Sequence, residues 1–190
     1  MHNIMFTDEA KIQINGCINQ HNCRIWDSIK PHVTHKSVHD SPKQNVWCGL
    51  MCNHIFGPFV FTEKTINCAI FLDTLELFLF PQLDDLPNAG NIYLQMDGAP
   101  PHYRDLVRAA LDEKLPNTWI SWSGPTLWPP RSPDLTLLDF FFWGYIKNTV
   151  YDKSKRSETP EGQNLRSDWN SHAIEAVLCM GGSWTQTRHL

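Results

Sequence analysis

Three aspartates in this chain stand where their carboxylates could hold a divalent metal ion. Asp97 opens the segment 97–102, Asp-Gly-Ala-Pro-Pro-His, directly after a strand-forming run, and residues 98–138, forty-one in number, separate it from Asp139. Asp8 lies near the start of the chain. Carboxylate oxygens are the hard, anionic ligands that Mg²⁺ prefers. Two such ions roughly 3.5–4 Å apart can activate an attacking oxygen and stabilise a leaving one. The three residues therefore indicate a metal site for phosphoryl transfer.

Each acid also has an interpretation that involves no metal. Asp8 shares the parity of the apolar residues in an alternating strand, where a carboxylate is costly unless it is paired or coordinated. It could instead bond the backbone at a break between two short strands. Asp139 ends Thr136-Leu137-Leu138-Asp139, a capping box that places it at N3 of a helix. Asp134, after Ser132-Pro133, could bond only its own turn. Local pattern alone leaves these alternatives open.

Histidines and cysteines suggest further candidate ligands. His102 follows a double proline, so it is either an exposed loop residue or a phosphate or water contact near Asp97. The spacings Cys48-x3-Cys52-x-His54 and His32-x2-His35-x3-His39 could suggest zinc. Cys48, however, lies inside the apolar run 46–50, where a free cysteine behaves as a small buried hydrophobe. The cysteine usage is typical of reduced intracellular thiols.

Composition bounds the function only loosely. The chain has 190 residues, which suits one domain with a substantial core. No apolar run reaches the ~20 residues that a membrane span needs, and the N-terminus has no secretory signal. A net charge of −4 argues against nucleic-acid binding, which usually requires a basic face. Clustered metal-binding carboxylates would account for part of this acidity, and a basic module elsewhere in a longer protein could supply the missing charge.

The elements that must position these acids follow from hydrophobic periodicity. Residues 4–14 alternate, with the apolar residues at even positions, and predict a strand with one buried face. Apolar, β-branched and aromatic runs predict further strands at 23–26, 46–51, 55–61, 91–96 and 119–122. The runs 46–51 and 55–61 flank residues 52–54 and count as one hairpin element, the third after 4–14 and 23–26, and together these elements form an antiparallel three-strand meander. Residues 124–135 indicate a proline-rich connector.

Helical spacing appears in the second half of the chain. It predicts helices over 65–86, with a kink at Pro81, over 103–115, with Leu106, Val107, Ala110 and Leu111 on one side, and over 136–151. A weak helix follows at 161–178. Three antiparallel strands followed by alternating helices and strands indicate an α/β fold, a mixed five-stranded sheet flanked by helices.

Several separate motifs, in order, resemble the catalytic domain of mariner-type transposases of the DDE/D superfamily. The resemblance is to arthropod elements with forty-one residues between the second and third acids, and it covers residues 4–151. The motifs are Phe6-Thr7-Asp8-Glu9-Ala10, Asn22-Cys23-Arg24-Ile25-Trp26, Val46-Trp47-Cys48-Gly49, the segment 96–102 and the block 128–143. The resemblance implies a ribonuclease H-like fold over residues 1–151, with the first and fourth strands side by side.

The resemblance also implies roles for residues. Asp8, Asp97 and Asp139 correspond to the family's catalytic and metal-binding triad, with Mg²⁺ as the expected cofactor and Mn²⁺ as a substitute. His102 and Arg131 are expected to contact the substrate. Pro133 and Asp134 belong to a Ser-Pro-Asp-Leu signature with a structural role.

The implied reaction is nicking of DNA at transposon ends, followed by attack of the freed 3′-hydroxyl on target DNA. The implied partners are transposon-end and target DNA and, for a full-length protein, a second copy in a homodimer. The expected location is the nucleus, with no membrane association and no small-molecule cofactor.

The sequence departs from the family pattern in three places. The N-terminal helix-turn-helix DNA-binding region is absent, Leu137 replaces the usual proline, and residues 152–190 form a shortened, poorly patterned tail. These departures support an alternative function, a catalytically inactive transposase remnant that only binds nucleic acid or protein. An intact set of three acids favours the active interpretation.

Overall fold

The computed structural model describes residues 3–13, 43–52, 54–87, 89–129 and 137–156. Within these ranges a single sheet has six strands in the order β3-β2-β1-β4-β5-β6. The strands are β1 (Asn3–Gln13), β2 (Lys43–Met51), β3 (His54–Val60), β4 (Ile92–Gln95), β5 (Trp119–Ser121) and β6 (Thr126–Leu127). β1, β2 and β3 pair antiparallel, whereas β1–β4, β4–β5 and β5–β6 pair parallel. The mixed sheet of the predicted fold class is therefore confirmed.

β1 lies in the middle of the sheet and is covered on both faces. Even-numbered Ala10 and Ile12 are buried, as the alternation predicted, but odd-numbered Met5 and Thr7 are buried as well. The prediction of a single buried face was wrong, because β1 pairs with a strand along each edge and helices pack against both faces of the sheet.

One face of the sheet is covered by a helical segment that changes its winding twice. α1 (Cys68–Asp73) leads into a π-helical segment, Thr74–Leu79, and then α2 (Phe80–Asp84). The Asn67 side chain accepts a hydrogen bond from the Ile70 N–H, which satisfies one free donor of the first turn. Pro81 stands at the start of α2, where its missing N–H is tolerated. The helix predicted over 65–86 is thus confirmed in its main extent.

α3 (Asp105–Lys114) packs on the same face, after a short 3₁₀ turn, Pro100–Tyr103. Val107 and Leu111 are fully buried, whereas Leu106, predicted on the same side, is 66% exposed. These helices close the larger core cluster over one face of the sheet. Its largest members are Trp47, Phe56, Phe61, Phe71, Phe78 and Trp119.

The opposite face is covered by the C-terminal helix. A π-helical segment, Leu138–Phe142, continues directly into α4 (Trp143–Arg156). Its buried residues recur at helical spacing, so one stripe of the helix faces the sheet. This stripe packs on residues of β1, β2 and β3, and the cluster comprises Leu138, Phe142, Trp143, Ile146, Ala10, Ile12, Val46, Cys48 and Ile55.

Some predictions differ from the structure or fall outside the described ranges. β6 lies inside the segment predicted to be a connector. The described residues form six strands, with the runs 46–51 and 55–61 corresponding to two separate strands, β2 and β3, whereas five were predicted. The strand predicted at 23–26 and the helix at 161–178 lie outside the described residues, so the division of the chain at residue 151 stays a prediction.

Among the described helices, none has the length and apolar character that spanning a membrane requires.

We expect Leu111→Ala to destabilise the protein by about 2–5 kcal/mol, because it leaves a cavity in the larger core. The free energy of unfolding in urea measures this loss. Leu106→Ala, on the same helix but 66% exposed, is the matched control and should change stability by less than about 0.5 kcal/mol. Equal losses in the two variants would show that the burial assigned to this helix is incorrect.

Candidate metal centre

Asp8 is a buried carboxylate on the face of β1 that the C-terminal helix covers. Its side chain is 7% exposed. The Trp143 indole N–H donates a 2.7 Å hydrogen bond to Asp8 Oδ2. The contact joins residues 135 positions apart in the sequence. The hydrogen bond therefore places the Asp8 carboxylate beside the helical segment that also carries Asp139.

Asp97 lies just beyond the end of β4, beside β1. Parallel pairing puts Phe6 opposite Gln95, and Asp8 and Asp97 each follow two residues later. Two hydrogen bonds hold Asp97, one to its backbone and one to its side chain. Ser121 Oγ donates to the Asp97 carbonyl at 3.1 Å, and the Ala99 N–H donates to Asp97 Oδ1 at 2.9 Å.

Asp139 is an exposed residue in the π-helical first turn of the C-terminal helix. Burial of its carboxyl raises its pKa, and the negative charge of Asp97 raises it further. A hydrogen bond with Asp8 and the charge of Lys147 act in the opposite direction. Asp139 thus lies within hydrogen-bond reach of Asp8 and feels the charge of Asp97. The three acids singled out from the sequence interact electrostatically from β1, from the end of β4 and from the helical segment at Leu138–Phe142, although among the described residues they do not form a group whose ligand atoms all lie within 4.8 Å of one another.

The electrostatic cost of this arrangement appears most strongly at Asp8. Burial, followed by the negative charges of Asp139 and Glu9, raises the pKa of Asp8 from 3.8 to about 8. The hydrogen bond from Trp143 lowers it, and Asp97 raises it. Without a cation, Asp8 therefore carries a proton at neutral pH. A positive charge placed among these acids would favour its ionised form.

His102 lies between two carboxylates. It is 3% exposed, with Nδ1 2.7 Å from Asp97 Oδ1 and Nε2 3.3 Å from Glu9 Oε1. Burial alone would lower the pKa of His102, but the charges and hydrogen bonds of Glu9 and Asp97 raise it to about 10. In turn, the hydrogen bond and charge of His102, together with the Ala99 N–H, outweigh burial and lower the pKa of Asp97.

The position of His102 bears on the predicted substrate contact. Both ring nitrogens face carboxylate oxygens, and substrate contact by His102 stays a prediction. The burial of the ring also excludes the alternative of an exposed loop residue.

The same three residues form a group that could itself hold a metal ion. Ligand atoms of Glu9, Asp97 and His102 all lie within 4.8 Å of one another. The suggested zinc ligands form no such group within the described ranges: Cys48 is buried in the core, as the apolar run predicted, and Cys52 is exposed. The histidines at 32, 35 and 39 lie outside those ranges.

Two residues of the site were not predicted from the sequence. Glu9 Oε1 lies 3.3 Å from His102 Nε2, and the Trp143 indole N–H donates to Asp8 Oδ2. A signal existed for Trp143, because it stands four residues after Asp139 and therefore on the same side of a helix. No local pattern indicated Glu9.

Several predicted residues lie in segment 130–136, outside the described residues. They are Arg131, Pro133, Asp134 and the capping threonine Thr136. Their predicted roles, including substrate contact by Arg131, stay predictions. The capping interpretation of Asp139 also stays a prediction, because its capping residue lies in this segment.

We expect Asp8→Asn to stabilise the metal-free protein increasingly as pH rises. The pKa of Asp8 in the folded protein is about 8, above the ordinary value of 3.8. Folding the wild-type chain therefore costs more free energy as pH rises between those values, and asparagine removes this cost. In EDTA, the stability gain measured by urea unfolding should be larger near pH 8 than near pH 5 by at least ~1.4 kcal/mol, a tenfold change in the folding equilibrium.

Asp105→Asn is the control for this experiment, since the Asp105 side chain is fully exposed on α3. Its effect should not vary with pH over this range. A gain from Asp8→Asn that is equal at both pH values would contradict the assigned burial and charge repulsion.

Comparison with known proteins agrees with this geometry. A family model described as DDE superfamily endonuclease matches residues 3–161. The search of curated proteins gave no significant match. Among solved structures, a pre-cleavage Mos1 transpososome is similar with a TM-score of 0.59 and 16% identity, covering 97% of this chain and 57% of that chain. The chain thus spans little more than half of the protein in that complex.

Two further Mos1 structures show the same fold. The Mos1 transposase catalytic domain with raltegravir and Mg matches with a TM-score of 0.55 and 15% identity, over 97% of this chain and 86% of that chain. A Mos1 mariner paired-end complex with Mn matches with a TM-score of 0.58 and 16% identity, over 95% and 56%. The resemblance to mariner-type transposases and the ribonuclease H-like fold are confirmed, and the chain belongs to the DDE superfamily endonuclease family.

Proposed function

We propose that this chain is a transposase-type catalytic domain that cleaves and joins DNA strands with divalent metal ions held by Asp8, Asp97 and Asp139. One observation carries the proposal. Three acids from three separate elements converge, and the pKa of the most buried one is raised to about 8 by burial and by its neighbours. A fold has little reason to maintain such repulsion unless a cation compensates for it.

The donor set fits a divalent ion such as Mg²⁺ or Mn²⁺. All three acids offer carboxylate oxygens, which these ions prefer. Burial and, after it, neighbouring negative charge raise the pKa values of Asp8 and Asp139, and a bound cation would favour the ionised forms. When bound, the ions supply activation of the attacking oxygen and stabilisation of the leaving oxygen in phosphoryl transfer.

The chain's own residues give the acids their positions. The Trp143 N–H holds Asp8 Oδ2, while Ser121 and Ala99 hold the backbone and one oxygen of Asp97. Asp139 is exposed near the start of its helical segment, within the part of the chain that the structure describes. Such prior orientation of charged ligands is what positioning a phosphodiester requires.

DNA is the proposed substrate, both transposon ends and target. The family supports it, and the Mos1 structures include a transpososome and paired-end complexes. The chain spans 57% of the Mos1 chain in the transpososome, and we propose that DNA ends are bound together with a second copy. The proposed location is the nucleus.

The alternative function is a transposase remnant that binds DNA or protein without catalysis. Catalysis and binding are separable by experiment.

We expect the protein to nick supercoiled plasmid DNA in Mg²⁺ or Mn²⁺, and Asp97→Asn to lower the nicking rate by at least ~100-fold. The substitution removes an anionic ligand while nearly preserving shape. Conversion of supercoiled to open-circular DNA on agarose gels measures the rate. Asp105→Asn, which removes a fully exposed aspartate, should nick at the wild-type rate.

Equal nicking by wild type and Asp97→Asn would reject the mechanism. No nicking by either protein, combined with retained DNA binding in a gel-shift assay, would select the remnant.

A further inference from the structure

The starting observation concerns how the two oxygens of Asp97 are used. Oδ1 receives a hydrogen bond from the Ala99 N–H at 2.9 Å and contacts His102 Nδ1 at 2.7 Å. Oδ2 has no hydrogen-bond partner among the described residues. Within the described ranges, Oδ1 thus takes all the contacts of this carboxylate with the protein, and Oδ2 takes none.

His102 is itself fixed from three directions. Nε2 contacts Glu9 Oε1 at 3.3 Å, Nδ1 lies 3.3 Å from the Asp97 carbonyl oxygen, and the ring packs on Phe71 with centroids 4.2 Å apart. The ring is 3% exposed, so it has no room to turn without leaving these partners. The buried imidazole of His102 therefore links Glu9 to Asp97.

We propose that Glu9 and His102 are positioning residues that hold Asp97 in one orientation, so that only Oδ2 is offered to the metal. This inference rests on the proposed function. It assigns the group formed by Glu9, Asp97 and His102 a supporting role instead of a second metal site. The chain of contacts runs from Glu9 through His102 to Asp97, and the metal contact is made by Asp97 alone.

The sheet geometry supports this division. Glu9 and Asp8 are consecutive in β1, so their side chains leave opposite faces of the sheet. Glu9 belongs to the side of Phe71 and the larger core, whereas Asp8 belongs to the side of Trp143. An ion bound by Asp8 and Asp139 is therefore on the other side of β1 from Glu9, and only Asp97, at the strand end, reaches both groups.

The chemistry of His102 supports the same division. A metal-ligating nitrogen must present a free lone pair, but both nitrogens of His102 face carboxylate oxygens. In this arrangement the two nitrogens orient the carboxylates of Glu9 and Asp97.

Mn²⁺ binding tests the proposal on the whole chain, with free Mn²⁺ measured by electron paramagnetic resonance. Glu9→Gln and His102→Phe should each weaken Mn²⁺ affinity, by ~10–100-fold for His102→Phe and less for Glu9→Gln. His102→Phe keeps a ring against Phe71 but removes both hydrogen bonds. His102→Gln, which can still donate to Asp97, should recover part of the affinity.

Double-mutant cycles show whether the residues act through Asp97. In an Asp97→Asn background, Glu9→Gln and His102→Phe should change Mn²⁺ affinity by less than about twofold. Undiminished effects in that background would overturn the proposal, because they would mean that Glu9 and His102 ligate the ion themselves. Electron spin-echo modulation of bound Mn²⁺ should show no ¹⁴N coupling from a histidine ligand, and observation of that coupling would also overturn it.

Controls separate this inference from folding and from the proposed function. The variant Glu113→Gln changes an exposed acid on α3 and should bind Mn²⁺ like wild type. The variant Glu9→Gln nearly preserves side-chain shape, so the proposal can still be tested with Glu9→Gln if His102→Phe fails to fold. Wild-type Mn²⁺ affinity in Glu9→Gln and in the folded histidine variants would overturn the positioning role alone. Failure of the wild-type chain to bind Mn²⁺ would overturn both proposals.

Discussion

Parallel pairing of β1 with β4 is the constraint on which the site depends. Because Phe6 lies opposite Gln95, Asp8 and Asp97 emerge at the same end of the sheet and at the same step beyond the pair. Antiparallel pairing would send the two chains in opposite directions and separate the acids. The parallel arrangement in turn needs a long crossover between the strands, which β2, β3 and the helices from Cys68 to Asp84 supply along with much of the core.

Close acids at one sheet end create repulsion that the rest of the structure offsets in two ways. On one side of β1, His102 places a ring between Glu9 and Asp97 and lowers the pKa of Asp97. On the other side, Asp8 remains protonated near neutral pH, with Trp143 as its hydrogen-bond donor. The pKa of Asp97 is therefore lowered and that of Asp8 is raised, so the proposed cation would change the ionisation of Asp8. This asymmetry links a structural feature, the two covered faces of β1, to the chemistry proposed for the site.

Much of the fold could be predicted from the sequence, because strand and helix periodicities are local properties. The order of strands, the helix at 68–84 and the approach of Asp8 to Asp97 followed from pattern and from the family resemblance. The burial of Met5 and Thr7 could not be predicted by alternation, since it depends on a second layer of helices contributed by distant sequence. The same limit applies to His102 and Glu9, whose contact joins residues 93 positions apart, and to the exposed side of Leu106. The three acids were found because their spacing is a family pattern. Their supporting residues were missed because they are defined only in three dimensions.

The central claim, that Asp8, Asp97 and Asp139 form one metal centre, is tested most directly by the position of the ion itself. A crystal of this chain grown with Mn²⁺ would locate the ion by its anomalous scattering. The account predicts density within coordination distance of all three aspartates, with Asp97 contributing Oδ2 and His102 remaining bonded to Asp97 Oδ1. An ion bound instead by Glu9, Asp97 and His102, with Asp8 and Asp139 unliganded, would contradict it.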